Sequence, residues 1–426
     1  MNYKQRRDRL IQLVRSNYSQ FSGPIILFAP CEDPGKNFVQ ESSFYYFSGI
    51  VEPASVMILN DVEQLFYKPK YNALREKWIA SQVSLDENYI QSLGFNRMDF
   101  TGQEYTNMHI YPYFQKALYE NVLQVMIAAC SKGEKIFTLY SDNRNQSYMV
   151  SMIIDQLLQF VPHIKDHIID ISPQVAQLRR KKDMEEIELL YKAVDISVQA
   201  HYAAVSMLKF GNKESDVQAA LEYVFTEHQA IPAYPSIVAS GAAATILHYT
   251  MNNKKFMQAD LVVVDAGARY DYYCADITRT YPVSGVFTAE QKELYEMVLE
   301  CQEIVADQAK PGMWLVNNDK QDESLHHIAS NFFKKYGYEQ YFTHGIGHFL
   351  GLDVHDVGDR NQSLQEGDII TIEPGLYIPE KNIGIRIEDN YWIVDQTTPV
   401  CLSEGLPKTV QGIEEMISQS FDIDLK

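Results

Sequence analysis

Four acidic residues placed in or beside apolar strands are the feature of this sequence that most restricts its fold. Asp265 follows the apolar run at residues 261–264, and Glu373 follows another at residues 369–372. Four carboxylates gathered in a buried, low-dielectric region are prohibitive unless cations balance their charge. The sequence therefore predicts a bound metal. The other two members of the set are Asp276 and Glu388.

The composition is that of a soluble globular protein with an acidic surface. Hydrophobic residues make up 46% and charged residues 22% of the 426 residues, which is outside the disordered regime. A chain of this length exceeds one ordinary core, and we expect two domains. The net charge of -19 argues against nucleic acid or an anionic membrane as partner and leaves small peptides as candidate ligands.

Three features predict a cytoplasmic protein. Residues 1–19 are polar and basic, without the apolar core of a signal peptide. No stretch approaches the roughly 18 apolar residues of a membrane span. The five cysteines are scattered and include no C-x-x-C pair, which favours a reduced, intracellular protein. Cys274 lies beside the acids, but buried structural thiols are common and we assign it no nucleophilic role.

Two patterns along the chain predict two domains. Residues 1–171 contain short β-like runs and helical stretches, which indicates an α/β domain. Residues 172–426 begin with helices and continue with glycine-rich turns and β-branched runs, which indicates an α+β domain. We expect strands at 24–28, 55–59 and 135–140, and helices at 146–160 and 215–228. Between these two helices we expect a long helix that begins at a capping box formed by Asp183 and Glu186 and stops near Gly211.

The first two acids are predicted to meet across a β-hairpin. Residues 265–276 have the pattern of a strand end, a turn region containing Gly267 and a returning strand. This arrangement would bring Asp265 and Asp276 together. A single acid of this kind is more often a surface or salt-bridged residue, but four acids with matching apolar strands favour a metal site.

The second pair of acids, Glu373 and Glu388, is also predicted to lie on strands. Glu373 ends its strand, and the alternation of residues 384–388 places Arg386 on the same face as Glu388. Between the two pairs lies a glycine-rich segment with His344, His348 and His355.

The histidine spacing does not fit a zinc-protease helix. His344 and His348 are four residues apart, but Gly345 stands where the H-E-x-x-H motif requires glutamate. A site with one histidine and four carboxylates is rich in oxygen, which favours manganese over zinc, with zinc, cobalt and iron still open.

The motifs together resemble the aminopeptidase P and prolidase branch of the pita-bread metallopeptidases. Residues 265–282 match the first metal motif, residues 344–356 match the histidine signature, and residues 373–377 and 384–389 match the remaining two, in the family's order. The resemblance is strong from Ser172 to the end and looser before it. It implies a C-terminal α+β pita-bread catalytic domain and a smaller α/β N-terminal domain.

The resemblance also implies roles for individual residues. The metal ligands would be Asp265, Asp276, His348, Glu373 and Glu388, with Asp276 and Glu388 bridging two divalent ions, most simply Mn²⁺. A hydroxide shared by the ions would attack the peptide carbonyl, and Glu373 would transfer its proton. The catalytic hydrogen-bond donors would be His355 and His248, and the substrate-binding residues His344, Arg386 and Tyr377. Tyr377 could equally serve only in packing.

The activity that this resemblance favours is removal of an N-terminal residue that precedes proline. The alternatives are a prolidase, which cleaves only dipeptides, and a catalytically inactive pita-bread module that binds proteins. The end of the chain, including residues 402–408, resembles aminopeptidase P more than prolidase. The implied partners are peptides with proline at position two and further copies of the chain in a homo-oligomer, either a dimer or a tetramer.

Overall fold

The computed structural model describes residues 1–33, 37–79, 85–105, 115–141, 148–359, 361–395 and 398–420. The chain divides into two compact units, Met1–Arg179 and Arg180–Lys426. The domain boundary that the sequence places between residues 171 and 172 stays a prediction. None of the helices in the described ranges is long and apolar enough to cross a membrane.

The first unit is an α/β structure. Its strands are β1 Ile25–Phe28, β2 Val56–Leu59, β3 Gln64–Tyr71, β4 Arg97–Tyr105, β5 Ile136–Thr138 and β6 Ile168–Asp170. Its helices are α1 Tyr3–Asn17, α2 Ser42–Ser48, α3 Glu87–Ser92, α4 Glu120–Ser131, α5 Tyr148–Phe160 and α6 Ser172–Arg180.

The strands of the first unit form one mixed sheet in the order β4-β3-β2-β1-β5-β6. β1 pairs antiparallel with β2 and parallel with β5, so the most apolar strands lie in the middle. Their side chains pack against apolar residues of α4 and α5, including Val122, Met126, Ile153 and Leu157. The strands predicted at 24–28, 55–59 and 135–140 are confirmed as β1, β2 and β5. Of the helix predicted at 146–160, residues 146 and 147 lie outside the described residues.

The second unit is α+β, as the sequence predicts. Its helices are α7 Met184–Val205, α8 Glu214–Glu227, α9 Ala289–Gln308, α10 Leu325–Lys335 and α11 Val410–Ser420. Its strands are β7 Ile231–Pro232, β8 Ile237–Ser240, β9 Leu261–Asp265, β10 Ala268–Tyr270, β11 Tyr273–Cys274, β12 Thr278–Pro282, β13 Ile369–Ile372, β14 Gly375–Ile378, β15 Ile383–Arg386, β16 Asp389–Trp392 and β17 Val400–Cys401.

The predicted capping box starts α7. The Asp183 side chain accepts from the Glu186 backbone N–H, and Glu186 accepts from that of Asp183, each at 3.0 Å. The helix predicted at 215–228 is confirmed as α8. The stop predicted near Gly211 is too late, because α7 ends at Val205 and residues 206–210 form turns before Gly211, which adopts a φ of +92°.

Short antiparallel sheets position the acidic residues. β9 is the central strand of the sheet β12-β9-β8, and β13 pairs with β16 while β14 pairs with β15. Thr278 at the start of β12 forms a β-bridge with Glu388, and the Glu388 N–H donates to the Thr278 carbonyl at 3.0 Å. This bridge joins the hairpin to the segment that carries the last acid. The turn of that hairpin lies at residues 271–272, between β10 and β11, and not in the region of Gly267 where the sequence predicts it.

Candidate metal centre

The hairpin brings the first two acids together. Asp265 is the last residue of β9 and pairs with Thr278, while Asp276 lies between β11 and β12. The hydroxyl of Tyr234 lies 2.5 Å from an oxygen of each acid, Asp265 Oδ1 and Asp276 Oδ1. Both carboxylates are buried, with 8% and 6% of the residue exposed. They therefore form one buried acidic pair.

Glu388 joins this pair from the neighbouring segment. Its Oε2 accepts from Thr278 Oγ1 at 2.7 Å. Arg386 lies on the same face, as the strand alternation predicts, and its Nη2 contacts Asp265 Oδ2 at 2.5 Å while its Nε donates to Thr278 Oγ1 at 3.1 Å. One guanidinium thus balances part of the charge of several carboxylates.

His348 reaches the acids from the glycine-rich segment. The backbone of this segment runs against β13, where a Cβ on Gly347 would lie 2.0 Å from the Thr371 carbonyl oxygen. His348 Nδ1 lies 3.0 Å from the Phe349 carbonyl, which accepts its proton. Nε2 is therefore left facing Asp276 Oδ2 at 3.3 Å and Glu373 Oε1 at 3.6 Å. This is the tautomer that a metal-binding imidazole requires.

The donor atoms converge as a divalent cation requires. One ligand atom each from Asp276, His348 and Glu388 lie within 4.8 Å of one another. Glu373 stands beside them through its contact with His348 and accepts from Thr371 Oγ1 at 3.3 Å. Carboxylate oxygens with one imidazole nitrogen suit a hard or borderline divalent ion. The residues present therefore fit the metal that the sequence predicts.

The electrostatics of the cluster point the same way. Burial raises the pKa of Glu373 to about 7, against the opposing charge of His348. Burial and then the charge of Asp276 raise the pKa of Glu388 well above its usual value. Burial alone would lower the pKa of His348, but the hydrogen bond and charge of Asp276 raise it to about 9. The protein's own groups thus leave the carboxylates short of positive charge.

A cavity of about 740 Å³ opens above the acids. His248 and His355 are exposed at its wall, and the His355 ring lies 4.2 Å from that of His348 between centroids. Nine of the ten residues that the sequence selects line this cavity: His248, Asp265, Asp276, His344, His348, His355, Glu373, Arg386 and Glu388.

Tyr377 contacts the site through its neighbours. Its hydroxyl lies 2.8 Å from His344 Nε2 and 2.8 Å from Arg386 Nη1. His344 Nδ1 lies 2.8 Å from the Gly345 carbonyl, so this nitrogen carries the proton and Nε2 accepts from Tyr377. Burial and then the Arg386 charge lower the pKa of His344 to about 4, which keeps its imidazole neutral.

Tyr234 is a residue of this site that sequence reasoning missed. It lies in the segment between β7 and β8, and its hydroxyl touches both members of the first acidic pair. Nothing in its local pattern signals this contact, which depends on the pairing of β7 with β10. Burial raises the pKa of the Cys274 thiol to about 12, which disfavours the thiolate that a nucleophile requires.

Comparison with known proteins places the chain among metallopeptidases. Residues 188–395 match metallopeptidase family M24, and residues 3–104 match the aminopeptidase P N-terminal domain. An Xaa-Pro aminopeptidase of Haemophilus influenzae is 30% identical over 98% of this chain and 97% of its own length. The chain belongs to metallopeptidase family M24.

Other relatives match over different lengths of the chain. An Xaa-Pro aminopeptidase 3 of Homo sapiens is 29% identical over 99% of this chain and 86% of its own. An Xaa-Pro dipeptidase of Pyrococcus furiosus is 40% identical, but over only 53% of this chain and 64% of its own. The full-length matches confirm the resemblance to aminopeptidase P that the motifs indicate.

Solved structures show the same architecture over the whole chain. Zinc-substituted aminopeptidase P of Escherichia coli, in complex with product, superimposes with a TM-score of 0.79 at 27% identity, covering 98% of both chains. Proline aminopeptidase P II of Yersinia pestis gives 0.80 at 26% identity, covering 98% of this chain and 99% of that one. The predicted pita-bread catalytic domain with an aminopeptidase P-type N-terminal domain is confirmed.

Proposed function

We propose that this M24 metallopeptidase is an Xaa-Pro aminopeptidase with two divalent cations at its centre. The observation that carries the proposal is the convergence of buried acids and His348 beneath a cavity whose wall presents two exposed histidines. The relatives that match this chain over almost its whole length include the Xaa-Pro aminopeptidases of Haemophilus influenzae and Escherichia coli, which supports the same substrate class.

Five residues would hold the cations: Asp265, Asp276, His348, Glu373 and Glu388. Asp276 and Glu388 are the proposed bridging ligands, and the excess of oxygen donors favours manganese. Two bound cations would supply charge that stabilises the reacting carbonyl, and they would lower the pKa of a water molecule enough to provide hydroxide near neutral pH.

Glu373 is the proposed proton carrier. Its carboxylate is the most accessible of the buried acidic cluster, with 18% of its side chain exposed, and it lies at the cavity wall. It accepts a proton from the attacking water and delivers it to the departing proline nitrogen. Its contacts with His348 and Thr371 hold the carboxylate in place for both transfers.

The remaining residues hold the peptide. His355 and His248, exposed at the cavity wall, donate hydrogen bonds to the substrate and to the oxyanion of the tetrahedral intermediate. Neutral His344, fixed by Tyr377, forms a wall for the proline ring. Arg386 is committed to Asp265 and Tyr377, so it organises the pocket from within.

The second candidate is an Xaa-Pro dipeptidase. The observation in its favour is the 40% identity of the Pyrococcus furiosus dipeptidase over about half of this chain. The two activities differ in whether the cleft accepts peptide beyond proline. We expect the manganese-loaded protein to cleave both an Xaa-Pro dipeptide and a longer Xaa-Pro-Yaa peptide. Cleavage of the dipeptide alone would reject the aminopeptidase proposal and leave the dipeptidase.

A pita-bread module used only for protein binding is the least supported alternative, because all the proposed ligand positions are filled by ligand residues. Metal analysis of protein purified without chelator tests it, since such a module would carry no stoichiometric metal. Cytoplasmic location and assembly into a dimer or tetramer stay predictions from the sequence.

A further inference from the structure

A buried ion pair lies directly beside His355 in the chain. Lys182 Nζ contacts Asp356 Oδ2 at 2.7 Å, and only 2% and 1% of the two side chains are exposed. Lys182 also contacts the Arg180 carbonyl at 3.3 Å. The pair joins the segment before α7 to the residue that immediately follows His355, across 174 positions of sequence.

This ion pair is an inefficient way to gain stability. Taking two charges out of water costs several kcal/mol per ion, and apolar side chains of similar volume often stabilise a fold as well or better. The pair also requires a glycine at position 351, because a Cβ on Gly351 would lie 2.1 Å from Asp356 Oδ2 and 2.8 Å from Lys182 Cε. A role in geometry explains such an arrangement better than a role in stability.

The ion pair anchors Asp356, the residue next to His355. The Asp356 side chain is held by Lys182, and the Asp356 N–H donates to the Phe349 carbonyl at 2.9 Å. His355 itself is exposed at the cavity wall, where its ring lies 4.2 Å from that of His348 between centroids. The direction of an exposed side chain depends on the backbone that carries it, and here that backbone is anchored through the next residue.

We propose that Lys182 is a positioning residue that acts through Asp356 to aim the His355 imidazole at the substrate. This inference rests on the proposed function, in which His355 donates a hydrogen bond to the reacting peptide. Misplacement of such a group by about 1 Å can lower turnover by about 100-fold.

Kinetics of Lys182→Met in two backgrounds test the proposal. Methionine keeps the length of the side chain and removes the charge. We expect Lys182→Met to lower kcat on an Xaa-Pro-Yaa peptide by about 10- to 100-fold with metal content unchanged. His355→Ala should lower kcat with metal retained, and adding Lys182→Met to it should lower kcat little further, because residues that act as one unit are not additive.

The matched control is Lys181→Met. Lys181 is the exposed neighbour of Lys182, so the substitution makes the same change in charge without touching the ion pair. We expect this variant to keep wild-type turnover. If Lys182→Met does not fold, Asp356→Asn replaces it, since an amide keeps the shape of the carboxylate while removing its charge.

A readout that does not depend on turnover is the histidine NMR spectrum of the zinc-loaded protein. The His355 imidazole signal is assigned by its loss in His355→Ala, and the His248 signal in the same way. In Lys182→Met, or in its replacement Asp356→Asn, we expect the His355 signal to shift or broaden while the His248 signal is unchanged.

The outcomes separate the inference from the proposed function. An unchanged His355 signal, or an equal loss of kcat in the wild-type and His355→Ala backgrounds, would overturn the positioning role while leaving the peptidase assignment intact. Full turnover in His355→Ala would remove His355 from the proposed mechanism, and the positioning role with it. A wild-type protein that cleaves no Xaa-Pro peptide contradicts the proposed function, whereas the spectrum still decides whether Lys182 orients His355.

Discussion

At the scale of single residues, the site separates buried acids from exposed histidines. Glu388 and Asp276 are 2% and 6% exposed, whereas His248 and His355 are exposed at the cavity wall. Burial raises the pKa of both acids. An uncompensated negative charge is therefore unfavourable on either carboxylate, and a cation shared by the two would compensate it. Glu373 stands between the two groups, with its carboxylate at the cavity wall.

Substitution of Glu373 should therefore separate metal binding from proton transfer. Glu373→Ala removes both roles, and we expect turnover to disappear and metal affinity to weaken. Glu373→Gln keeps an oxygen ligand but cannot take up the proton, so we expect it to retain more metal than Glu373→Ala while turnover falls by about 10²- to 10⁴-fold. Metal analysis and peptide hydrolysis measure the two effects.

The control for this pair is Glu366→Gln, an exposed glutamate shortly before β13. It should leave both metal content and turnover unchanged. Substantial turnover in Glu373→Ala would refute the assignment of Glu373 as ligand and proton carrier.

At the scale of elements, periodic patterns explain which strands could be predicted. β1, β2, β9 and β13 are apolar runs, and β15 alternates clearly, so their existence follows from the sequence. β3 was not predicted because it contains Pro69, which sits at a register shift between Lys68 and Lys70. β4 is a largely polar edge strand whose place depends on pairing with β3.

Contacts between distant elements could not be predicted in the same way. Tyr234 reaches Asp276 across 42 positions, and Lys182 reaches Asp356 across 174. Both contacts depend on how the sheets and the glycine-rich segment pack together, and the local sequence pattern does not indicate this packing. The acids could be predicted as site residues from the sequence only because apolar strands flank them. The place of His248 in the site was predicted from family resemblance. The two contacts of Tyr377 are known from the structure.

A buried carboxylate at the start of α8 offers a test of element packing. Glu214 is fully buried, and its oxygens accept from Ser240 N at 2.9 Å, Ser240 Oγ at 2.7 Å, Tyr249 OH at 2.9 Å and Lys254 N at 2.9 Å. It thereby ties α8 to the end of β8 and to the segment that contains His248. Glu214→Ala would leave the buried donors of Ser240 and Tyr249 without their acceptor, so we expect the free energy of unfolding to fall by about 3 kcal/mol or more.

Calorimetry measures this loss as a lower unfolding temperature, by about 6–12 °C for a unit of this size. Glu227→Ala is the matched control, because Glu227 is an exposed acid at the other end of the same helix and its removal should change stability by less than about 0.5 kcal/mol. Equal unfolding temperatures for the two variants would show that the Glu214 contacts do not stabilise the second unit.

At the scale of the whole molecule, charge links metal binding to pH. The chain carries a formal charge of -19, and part of its acidity is gathered at one buried centre. Protons and cations compete for that centre, because the raised pKa values of Glu373, Glu388 and His348 mean that folding without metal favours bound protons. Metal binding should therefore release protons near neutral pH.

The stabilisation by metal should grow as pH rises. A group whose pKa is raised on folding contributes stability below its unfolded pKa and loses it as pH rises through the folded value. For Glu373 this window extends from its ordinary pKa of 4.5 up to about 7, and for His348 from 6.5 up to about 9. The free energy of unfolding of the chelated protein should therefore fall across that range, by on the order of 1.4 kcal/mol for each proton and each pH unit. In the loaded protein cations replace those protons, so this fall should not occur.

Calorimetry of manganese-loaded and chelator-treated samples from about pH 6 to about pH 8 measures this linkage. We expect the difference between their unfolding temperatures to widen as pH rises. Groups that contact none of these residues titrate alike in both samples and cancel in the difference. A gap that stays constant across this range would mean that cations do not displace protons from these carboxylates and His348, and would contradict their assignment as metal ligands.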